Sequence, residues 1–486
     1  MSNDSKNKLV PRLRFPEFKD AGEWEVKRLG EIGELYGGLN GKNAEDFGDG
    51  YPFITYRQVF NKSVINFNEC DKVRIKDGEN QNIVKKGDIL FTASSETPDE
   101  VGFASVITEE PNTSTYLNSF CFILRPESNF PIIPGFSQYL FHSTTYRKSV
   151  IAIAQGITRY NISKSAFREI LIPIPSLPEQ QKIASCLSSL DELIEAESQK
   201  LELYQQHKKG LLQNLFPQTI TNYELGITNE EIEKNNYELK ITNEELRNND
   251  EEEKFVIRKS QFRNLPKLRF PEFKNAGEWE VKRLGEVYYF LVTNSFSREN
   301  LNYERGVIKN IHYGDIHTKF STLFDITKEN VPFVNPDISI NKIKEESYCK
   351  EGDIVFADAS EDLNDVGKSI EIININGEKL LAGLHTLLAR QIKKEIVIGF
   401  GGYLLKNDWI RKQIQREAQG AKVFGISASR ISNIKISYSK NTKEQQKIVS
   451  CLTSLDNLIN AQREKIELLK QHKKGLLQGL FPELNF

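Results

Sequence analysis

The strongest constraint on the fold is a long stretch that the chain contains twice, at Glu179–Pro217 and Glu444–Pro482. In both copies apolar residues recur at alternating steps of three and four, which is the a and d pattern of helices that pack along their length. We therefore predict two long helices that pack along each other, each spanning roughly 50 Å. The predicted seam residues are Ile183, Leu187, Leu190, Ile194 and Leu201 in the first copy and Ile448, Leu452, Leu455, Ile459 and Ile466 in the second, with polar interruptions at Glu197, Lys208, Gln462 and Lys473.

A second repeat precedes each predicted helix. The segment Pro11–Ile32 returns almost unchanged as Pro266–Val287, whereas the sequences between these arms and the helices agree only at scattered strand and turn positions. The best preserved are KKGDILFTASSE against KEGDIVFADASE and AQGITRYNIS against AQGAKVFGIS. The order is therefore arm, globular domain and helix, followed by the same again. Two equivalent scaffolds thus carry two different surfaces, and a pseudo-twofold axis can relate the halves.

The repeat also predicts the domain divisions. Short β-type runs bounded by Gly, Pro, Asn or Asp, such as DILFTA and HTLLARQI, indicate globular domains of α/β (α+β) class with much strand. Near-helical pieces at Phe136–Ala152 and Phe400–Ala418 each lead into Gln-Gly, which suggests a C-cap. The predicted parts are an arm at 1–32, a domain at 33–176, a helix at 177–217, a polar spacer with a 14-residue repeat at 218–265, an arm at 266–287, a domain at 288–442 and a helix at 443–486.

Composition excludes several classes of protein. The chain of 486 residues has no apolar run of membrane-spanning length and no secretory leader, so we expect neither a membrane span nor export. Its five cysteines show no CxxC spacing, which predicts reduced thiols in a cytoplasmic protein. The net charge of -2 gives no global sign of nucleic-acid binding, although a local basic face remains possible.

No segment has the complete pattern of a catalytic motif. Val366–Ser369 is similar to the end of a phosphate-binding loop, but Asp362 stands where that loop requires its first glycine. Phe400–Gly402 lacks the partner residues of a methyl-donor loop. The six histidines show no metal-ligand spacing, and His207 and His472 lie near the predicted helix ends. We therefore predict neither a catalytic residue nor a metal site in this chain.

The two arms are rich in aromatic and charged residues. Glu17, Glu25 and Lys27 resemble a compressed nuclease cluster, but no predicted strand core would fix a metal there. A docking or packing segment is the better interpretation. The predicted partner-binding residues are Phe15, Phe18, Trp24, Phe270, Phe273 and Trp279.

The loops that follow the two Gln-Gly pairs are the strongest candidates for binding nucleic acid. Their cationic, amide, hydroxyl and aromatic side chains suit phosphate anchoring and the reading of base edges. The same mixture suits an ordinary solvated loop, and both interpretations stay open. The predicted contact residues, which include a weaker set outside these loops, are Arg57, Gln58, Thr158, Arg159, Tyr160, Asn161 and Lys164 in the first domain, and Tyr313, Lys422, Phe424, Ser427, Ser429 and Arg430 in the second.

The whole pattern closely resembles the specificity subunit of type I restriction-modification systems. The resemblance rests on the arms LRFPEF and EWEVKRLGE, the GDI strand entries, the AQG stretches and the helices from EQQKI to HKKGLLQ and LFP, and it covers both halves. It implies two target-recognition domains with two long antiparallel helices. Each domain would read one half of a split, asymmetric site in double-stranded DNA, and the helices would set the gap.

The resemblance also implies partners. These are two methyltransferase (modification) subunits, which bind S-adenosylmethionine and methylate adenine, and restriction subunits that use ATP to translocate. S-adenosylmethionine, ATP and magnesium would belong to those partners, so no cofactor is expected in this chain. Two other functions stay open on the residues alone. They are a protein-interaction scaffold or decoy with duplicated coiled-coil arms, and a self-contained DNA-modifying enzyme, which the incomplete motifs disfavour.

Overall fold

The computed structural model describes residues 9–128, 130, 132–218 and 264–484, which form two compact units. Unit 1 contains the described residues up to Lys200 together with those from Gln462 onward, and unit 2 contains those from Leu201 to Ala461. Each unit therefore combines one arm and one globular domain with parts of both long helices. The predicted spacer lies outside the described residues except at its two ends, residue 218 and residues 264–265.

Unit 1 consists of short strands and short helices packed against long-helix segments. Its helices are α1 (Leu29–Ile32), α2 (Tyr56–Asn61), α3 (Pro134–Leu140), α4 (Thr144–Ala152), α5 (Lys164–Arg168) and the first part of α6 (Leu177–Asn214). Its strands are β1 (Glu25–Arg28), β2 (Gly33–Gly37), β3 (Phe47–Ile54), β4 (Asp71–Val73), β5 (Ile89–Thr92), β6 (Ser94–Ser95), β7 (Ala104–Val106), β8 (Tyr116–Leu117), β9 (Cys121–Pro126), β10 (Tyr160–Asn161) and β11 (Leu171–Ile174).

The centre of unit 1 is an antiparallel sheet with the strand order β2-β9-β5-β7. Strand β5 is buried at all four positions, which explains why its sequence is a continuous apolar run rather than an alternating one. A smaller sheet has the order β4-β3-β8. Strand β1 of the arm pairs antiparallel with β11, with Glu25 opposite Ile174, so the arm is attached directly in front of α6.

Unit 2 repeats this plan with additions. Its helices are α7 (Leu284–Val287), α8 (Tyr313–Thr318), α9 (Phe400–Leu404), α10 (Asp408–Glu417), α11 (Ala428–Ser432), the end of α6 and the first part of α12 (Thr442–Leu480). Its strands are β12 (Glu280–Arg283), β13 (Tyr288–Leu291), β14 (Leu301–Asn302), β15 (Ile308–Ile311), β16 (Leu323–Asp325), β17 (Phe333–Val334), β18 (Ile354–Ala357), β19 (Ala359–Ser360), β20 (Ser369–Asn374), β21 (Lys379–Ala382), β22 (Thr386–Gln391), β23 (Phe424–Gly425) and β24 (Lys435–Tyr438).

The main sheets of the two units correspond strand by strand. The order β13-β22-β18-β20 repeats β2-β9-β5-β7, and unit 2 adds β16, which lies parallel to β20. The registers agree as well, because Ile89 faces Leu124 in unit 1 and Ile354 faces Ala389 in unit 2. The second sheet of unit 2, β14-β17-β15-β21, has one strand more than that of unit 1. The predicted mixed fold with an internal repeat is confirmed.

The two predicted long helices are also confirmed, as α6 and α12. The seam of α12 is buried from Ile448 to Ile466, whereas α6 buries Ile183 and Leu187 and leaves Leu190, Ile194 and Leu201 half-buried. Within unit 1, Asp191 pairs with Lys473 while Glu197, further along α6, pairs with Lys465, nearer the start of that α12 segment. The helix segments of this unit therefore run antiparallel.

The polar interruptions of the seam pair with one another. In unit 1, Lys473 forms an ion pair with Asp191, and Gln462 Nε2 donates to the Glu197 carboxylate at 2.6 Å. In unit 2, Lys208 pairs in the same way with Asp456. These contacts form only in one register, so the interruptions define how the helix segments align.

Each unit is closed by the end of a long helix. In unit 1, Phe481 packs against Trp24 and Phe136, with ring centroids 6.0 and 5.5 Å apart. In unit 2, Phe216 packs against Trp279 and Phe400 at 6.0 and 5.5 Å. Because each helix continues from one unit into the other, each core contains an LFP tail from the opposite half of the sequence.

Three expectations need correction. Trp24 and Trp279, predicted to bind a partner, are buried with only 4% and 3% of their surface exposed, because the chain's own helix tails cover them. The two near-helical pieces are each broken in two, since Ser143 and Asn407 begin new helices as N-caps. The Gln-Gly pairs are not C-caps, because α4 ends at Ala152 and α10 at Glu417.

Candidate nucleic-acid interface

The first candidate loop is a rigid turn on the surface of unit 1. Gln155 and Asn161 bond to each other through both backbone N–H groups, at 3.0 and 2.8 Å, and β10 pairs with β6. Gly156 has a φ of +148°, and a Cβ there would lie 2.0 Å from the Arg159 carbonyl oxygen. Only glycine fits this position, so the loop presents its side chains from one fixed backbone shape.

The side chains of this loop meet an exposed aromatic ring. Arg159 places its guanidinium 4.8 Å from the ring centroid of Phe120, which is 49% exposed. Ile157 at the tip is 93% exposed. The loop sits beside α2, because the hydroxyl of Tyr56 donates to the Ser94 carbonyl oxygen in β6 at 2.8 Å. Cationic, apolar and aromatic groups therefore converge on one surface, as stacking and phosphate contacts with nucleic acid require.

Unit 2 has the same loop with different side chains. Gln419 and Gly425 exchange two backbone bonds of 2.9 and 2.7 Å, and β23 pairs with β19. A Cβ on Gly420 would lie 1.9 Å from the Val423 carbonyl oxygen, so glycine is required here too. Lys422 is exposed, as is Val423, which occupies the place of Arg159. The backbone of the site is therefore shared while its chemistry differs.

The centre of the second site is rich in imidazole. The ring of Tyr313 lies 4.7 Å from His312, 6.1 Å from His317 and 5.4 Å from His385. His317 Nε2 donates to the Ala359 carbonyl oxygen at 3.1 Å, which joins α8 to β19. Burial lowers the pKa of His312, and the nearby guanidinium of Arg298 lowers it further. Unit 2 therefore has imidazole groups that can form hydrogen bonds in the region where unit 1 has the apolar ring of Phe120.

The structure brings most of the predicted contact residues of unit 1 to this surface. Thr158, Arg159, Asn161 and Lys164 are exposed, and Tyr160 is half-buried in β10. The neighbouring α2 exposes Arg57 but buries Gln58, whose amide donates to the Asn66 carbonyl oxygen at 3.0 Å. Gln58 is therefore corrected to a structural residue.

The predicted residues of unit 2 are divided between the loop and the start of α11. Lys422, Ser427 and Ser429 are exposed, whereas Tyr313, Phe424 and Arg430 are half-buried. Ser427 is the N-cap of α11, and Arg430 pairs with Glu417 at 3.3 Å. Both side chains thus have structural partners, and their contact with DNA stays a prediction.

Sequence reasoning missed Phe120, Asp358 and His385. They lie 30 residues or more from the loops in the chain, and only the fold brings them close. A signal was available in the repeat, because Phe120 and His385 occupy matching positions next to strands β9 and β22. Where the two scaffolds match, a position with different side chains, such as Phe120 and His385, identifies the surface that varies between the units.

Other repeated motifs prove to be structural. The aspartate of each GDI motif accepts two hydrogen bonds from one arginine, Asp88 from Arg125 at 2.7 Å and Asp353 from Arg390 at 2.7 and 2.8 Å. Arg14 of the first arm binds Glu179 at the start of α6 through two bonds of 2.7 Å, and unit 2 repeats the pair with Arg269 and Glu444. These buried pairs hold the arm and sheet in place and leave the loops free to vary.

The arm phenylalanines Phe15, Phe18, Phe270 and Phe273 are half-buried, and their binding of a partner stays a prediction. Within the described part of the chain, no group of three or more His, Cys, Asp or Glu side chains could hold a metal ion. The helices that the structure describes are all too short or too polar to cross a membrane.

Comparison with known proteins gives consistent matches in both halves. The family described as type I restriction modification DNA specificity domain matches residues 21–203 and 276–471. The type I restriction enzyme MjaVIII specificity subunit of Methanocaldococcus jannaschii is 24% identical over 484 residues, which cover 96% of this chain and 93% of that protein. The EcoKI specificity subunit of Escherichia coli is 34% identical over 116 residues, covering 23% of this chain and 24% of its own length.

Two solved structures share the fold. The S subunit of a type I restriction-modification system from M. genitalium aligns with a TM-score of 0.51 at 16% identity, covering 98% of this chain and 100% of its own. A chain from a structure on complex assembly and conformational transition of the type I R-M system aligns with a TM-score of 0.54 at 14% identity, covering 94% and 97%. At these identities the likeness concerns the fold alone.

Proposed function

Because the chain belongs to the family of type I restriction modification DNA specificity domains, we propose that each of its two units reads one half of a split, asymmetric site in double-stranded DNA. The chain acts in recognition rather than catalysis, in keeping with relatives that are specificity subunits. The observation that carries the proposal is the duplicated loop site. One backbone geometry occurs twice with different side chains, which predicts two half-sites of different sequence.

We further propose that α6 and α12 set the gap between the half-sites. A helix of this length spans more than one turn of B-form DNA, about 35 Å, so two readers can address separate major-groove segments. The exposed faces of these helices and the arms would dock two methyltransferase subunits, and restriction subunits would join that complex. S-adenosylmethionine, ATP and magnesium would act in those partners.

The deciding experiment is methylation-site mapping in cells that express this chain with its neighbouring methyltransferase gene, compared with cells that lack this chain. We expect methylated adenines in a split motif with two unlike halves, present only with the chain. A variant that replaces Ile157-Thr158-Arg159 with Ala-Lys-Val, the residues of unit 2, should alter one half of the motif and leave the other intact. Unchanged methylation without the chain would contradict the proposal and favour a scaffold or decoy.

A further inference from the structure

The two loop sites differ most at one pair of matching positions. Ala93 N–H donates to the Phe120 carbonyl oxygen at 2.8 Å in unit 1, and Asp358 N–H donates to the His385 carbonyl oxygen at 3.0 Å in unit 2. The same backbone bond therefore supports a phenylalanine beside an alanine in one site and a histidine beside an aspartate in the other. The unit 1 pair is apolar and carries no titratable group.

His385 has a strained backbone. Its φ is +56°, and among the described residues Asn376 is the other non-glycine residue with a positive φ. L side chains rarely adopt this conformation, and residues held in it cluster where proteins contact ligands. Glycine would adopt this conformation without strain but would carry no imidazole.

The carboxylate of Asp358 lies beside this imidazole. Asp358 Oδ1 is 3.3 Å from His385 Nδ1, and this buried oxygen makes no hydrogen bond within the described residues. The negative charge of a carboxylate this close to Nδ1 favours the tautomer that carries its proton there, which leaves Nε2 as an acceptor in the neutral ring. About half of the His385 side chain is exposed, which makes Nε2 accessible to a ligand outside the protein.

The surrounding titratable groups are already engaged within unit 2. Nδ1 of His312 accepts from Gly314 N–H at 3.1 Å, and His317 Nε2 donates to a backbone carbonyl. The charged groups of the same cluster also pair, because Asp315 binds both Arg298 and Lys319. His385 is the imidazole that we expect to face a ligand, because His312 is buried and the unpartnered Nδ1 of His317 is buried as well.

We propose that His385, positioned by Asp358, reads a base in the half-site of unit 2 by accepting a hydrogen bond at Nε2 from an exocyclic amino group. In the major groove this group is N6 of adenine or N4 of cytosine. The inference rests on the proposed function and adds a residue and a chemistry to it. Phe120 makes an apolar contact at the corresponding place in the other half-site.

The test uses the full chain and the split site that methylation mapping defines. Duplexes in which each base pair of the unit 2 half-site is changed in turn compete with the unchanged duplex. We expect the chain to discriminate at one adenine or cytosine by roughly five- to tenfold, the worth of one hydrogen bond.

Four variants separate the roles of these residues. His385→Phe, which copies unit 1, should lose this preference. His385→Gln keeps an amide acceptor and should keep the preference. Asp358→Asn removes the carboxylate but retains the imidazole, and it should weaken the preference because the tautomer with Nε2 as acceptor is then no longer favoured. Phe120→His is the matched control and should affect the unit 1 half-site alone.

The outcomes against the inference are distinct from failure of the proposed function. If His385→Phe retains the preference, His385 does not read the base. If Asp358→Asn leaves the preference unchanged, Asp358 does not position His385. Thermal unfolding of every variant shows whether it is folded. If His385→Phe does not fold, the base preference of His385→Gln decides whether residue 385 reads the base. A wild-type chain that prefers no split site would contradict the proposed function itself.

Discussion

At the scale of single residues, unit 2 buries a carboxylate without an opposite charge. Glu371 is fully buried, and its two oxygens accept from the Gly399 and Gly402 N–H groups at 2.8 and 2.6 Å. Burial raises the pKa of Glu371 to about 7, although these two bonds favour the charged form. Unit 1 has Val106 at the matching place opposite Ile89, so this feature belongs to unit 2 alone.

The sign of the resulting pH dependence follows from linkage. Since the pKa of Glu371 is higher in the folded than in the unfolded state, folding binds a proton between about pH 4.5 and 7. The contribution to stability is complete below this window and is lost as the pH rises through it. We expect a loss of about 3 kcal/mol in the free energy of unfolding of unit 2.

The measurement is urea unfolding of the wild type and of Glu371→Gln across pH 4.5 to 8, followed by hydrogen exchange in β18 and β20. Subtracting the free energy of unfolding of Glu371→Gln from that of the wild type removes the contribution of the other titrating groups. This difference should therefore change between about pH 4.5 and 7. An equal slope for both would show that Glu371 is not the titrating group. Exchange in β5 of unit 1 provides the internal control, because Val106 does not titrate there.

At the scale of elements, each long-helix crossing contains the same polar triad. In unit 1 the hydroxyl of Tyr139 donates to Asp191 at 2.9 Å, and Lys473 binds the other oxygen of that carboxylate. In unit 2 Tyr403 donates to Asp456 at 2.7 Å beside Lys208. The triad joins the globular domain to both helices, and burial together with the neighbouring carboxylate raises the pKa of both tyrosines.

Reversing one charge of the Lys208–Asp456 pair should therefore weaken the packing of the two helices in unit 2. We expect Asp456→Lys to lower the free energy of unfolding by about 2 kcal/mol, because it places two ammonium groups together and leaves the Tyr403 hydroxyl without its acceptor. The double variant with Lys208→Asp should regain about 1 kcal/mol, as expected for a partly exposed pair. Urea unfolding measures both values.

A neighbouring lysine offers the control for this cycle. Lys209 lies next to Lys208 but is exposed, so Lys209→Asp should change the stability little. If the double variant is no more stable than Asp456→Lys alone, the pair does not fix the register of the helices.

The sequence predicted the elements with strong periodicity and missed those set by distant contacts. The heptad pattern located both long helices, because a seam of this length specifies its own period, but the second helix, predicted at 443–486, ends at Leu480. The broken helices at Ser143 and Asn407 were missed, since an N-cap inside an apolar stretch looks like helix interior. Trp24 and Trp279 were misassigned because the helix tails that cover them lie far away in the sequence.

At the scale of the whole molecule, each unit depends on a tail from the other half of the chain. Leu13 N–H donates to the Gly479 carbonyl oxygen at 2.8 Å, and Thr145 donates to the Pro482 carbonyl oxygen at 2.7 Å. Unit 2 repeats the first bond between Leu268 and Asn214, also at 2.8 Å. Each core therefore includes the end of a long helix that is encoded in the other half of the sequence.

Removing one tail ring should consequently destabilise one unit selectively. Phe481→Ala is expected to lower the stability of unit 1 by about 3 to 5 kcal/mol, because it empties the space between Trp24 and Phe136. Hydrogen exchange followed by mass spectrometry should show faster exchange in β5 and β9 and unchanged exchange in β18 and β22.

Phe216→Ala provides the reciprocal experiment and should reverse this pattern. Equal acceleration in both units by either variant would mean that the two cores unfold as one, against the division described above.

The shared tails and arms have a consequence for inheritance. The two halves have nearly the same arms and nearly the same LLQ and LFP tails, so repeated segments of the protein stand on either side of each variable surface. A genetic exchange within those repeats would replace one surface with another as a cassette. The repeats would supply the arm tryptophan and the tail phenylalanine of each closing contact, and the new domain would supply the counterpart of Phe136 or Phe400. An exchange that keeps this aromatic position would thus replace one surface while the closing contacts of the unit are retained.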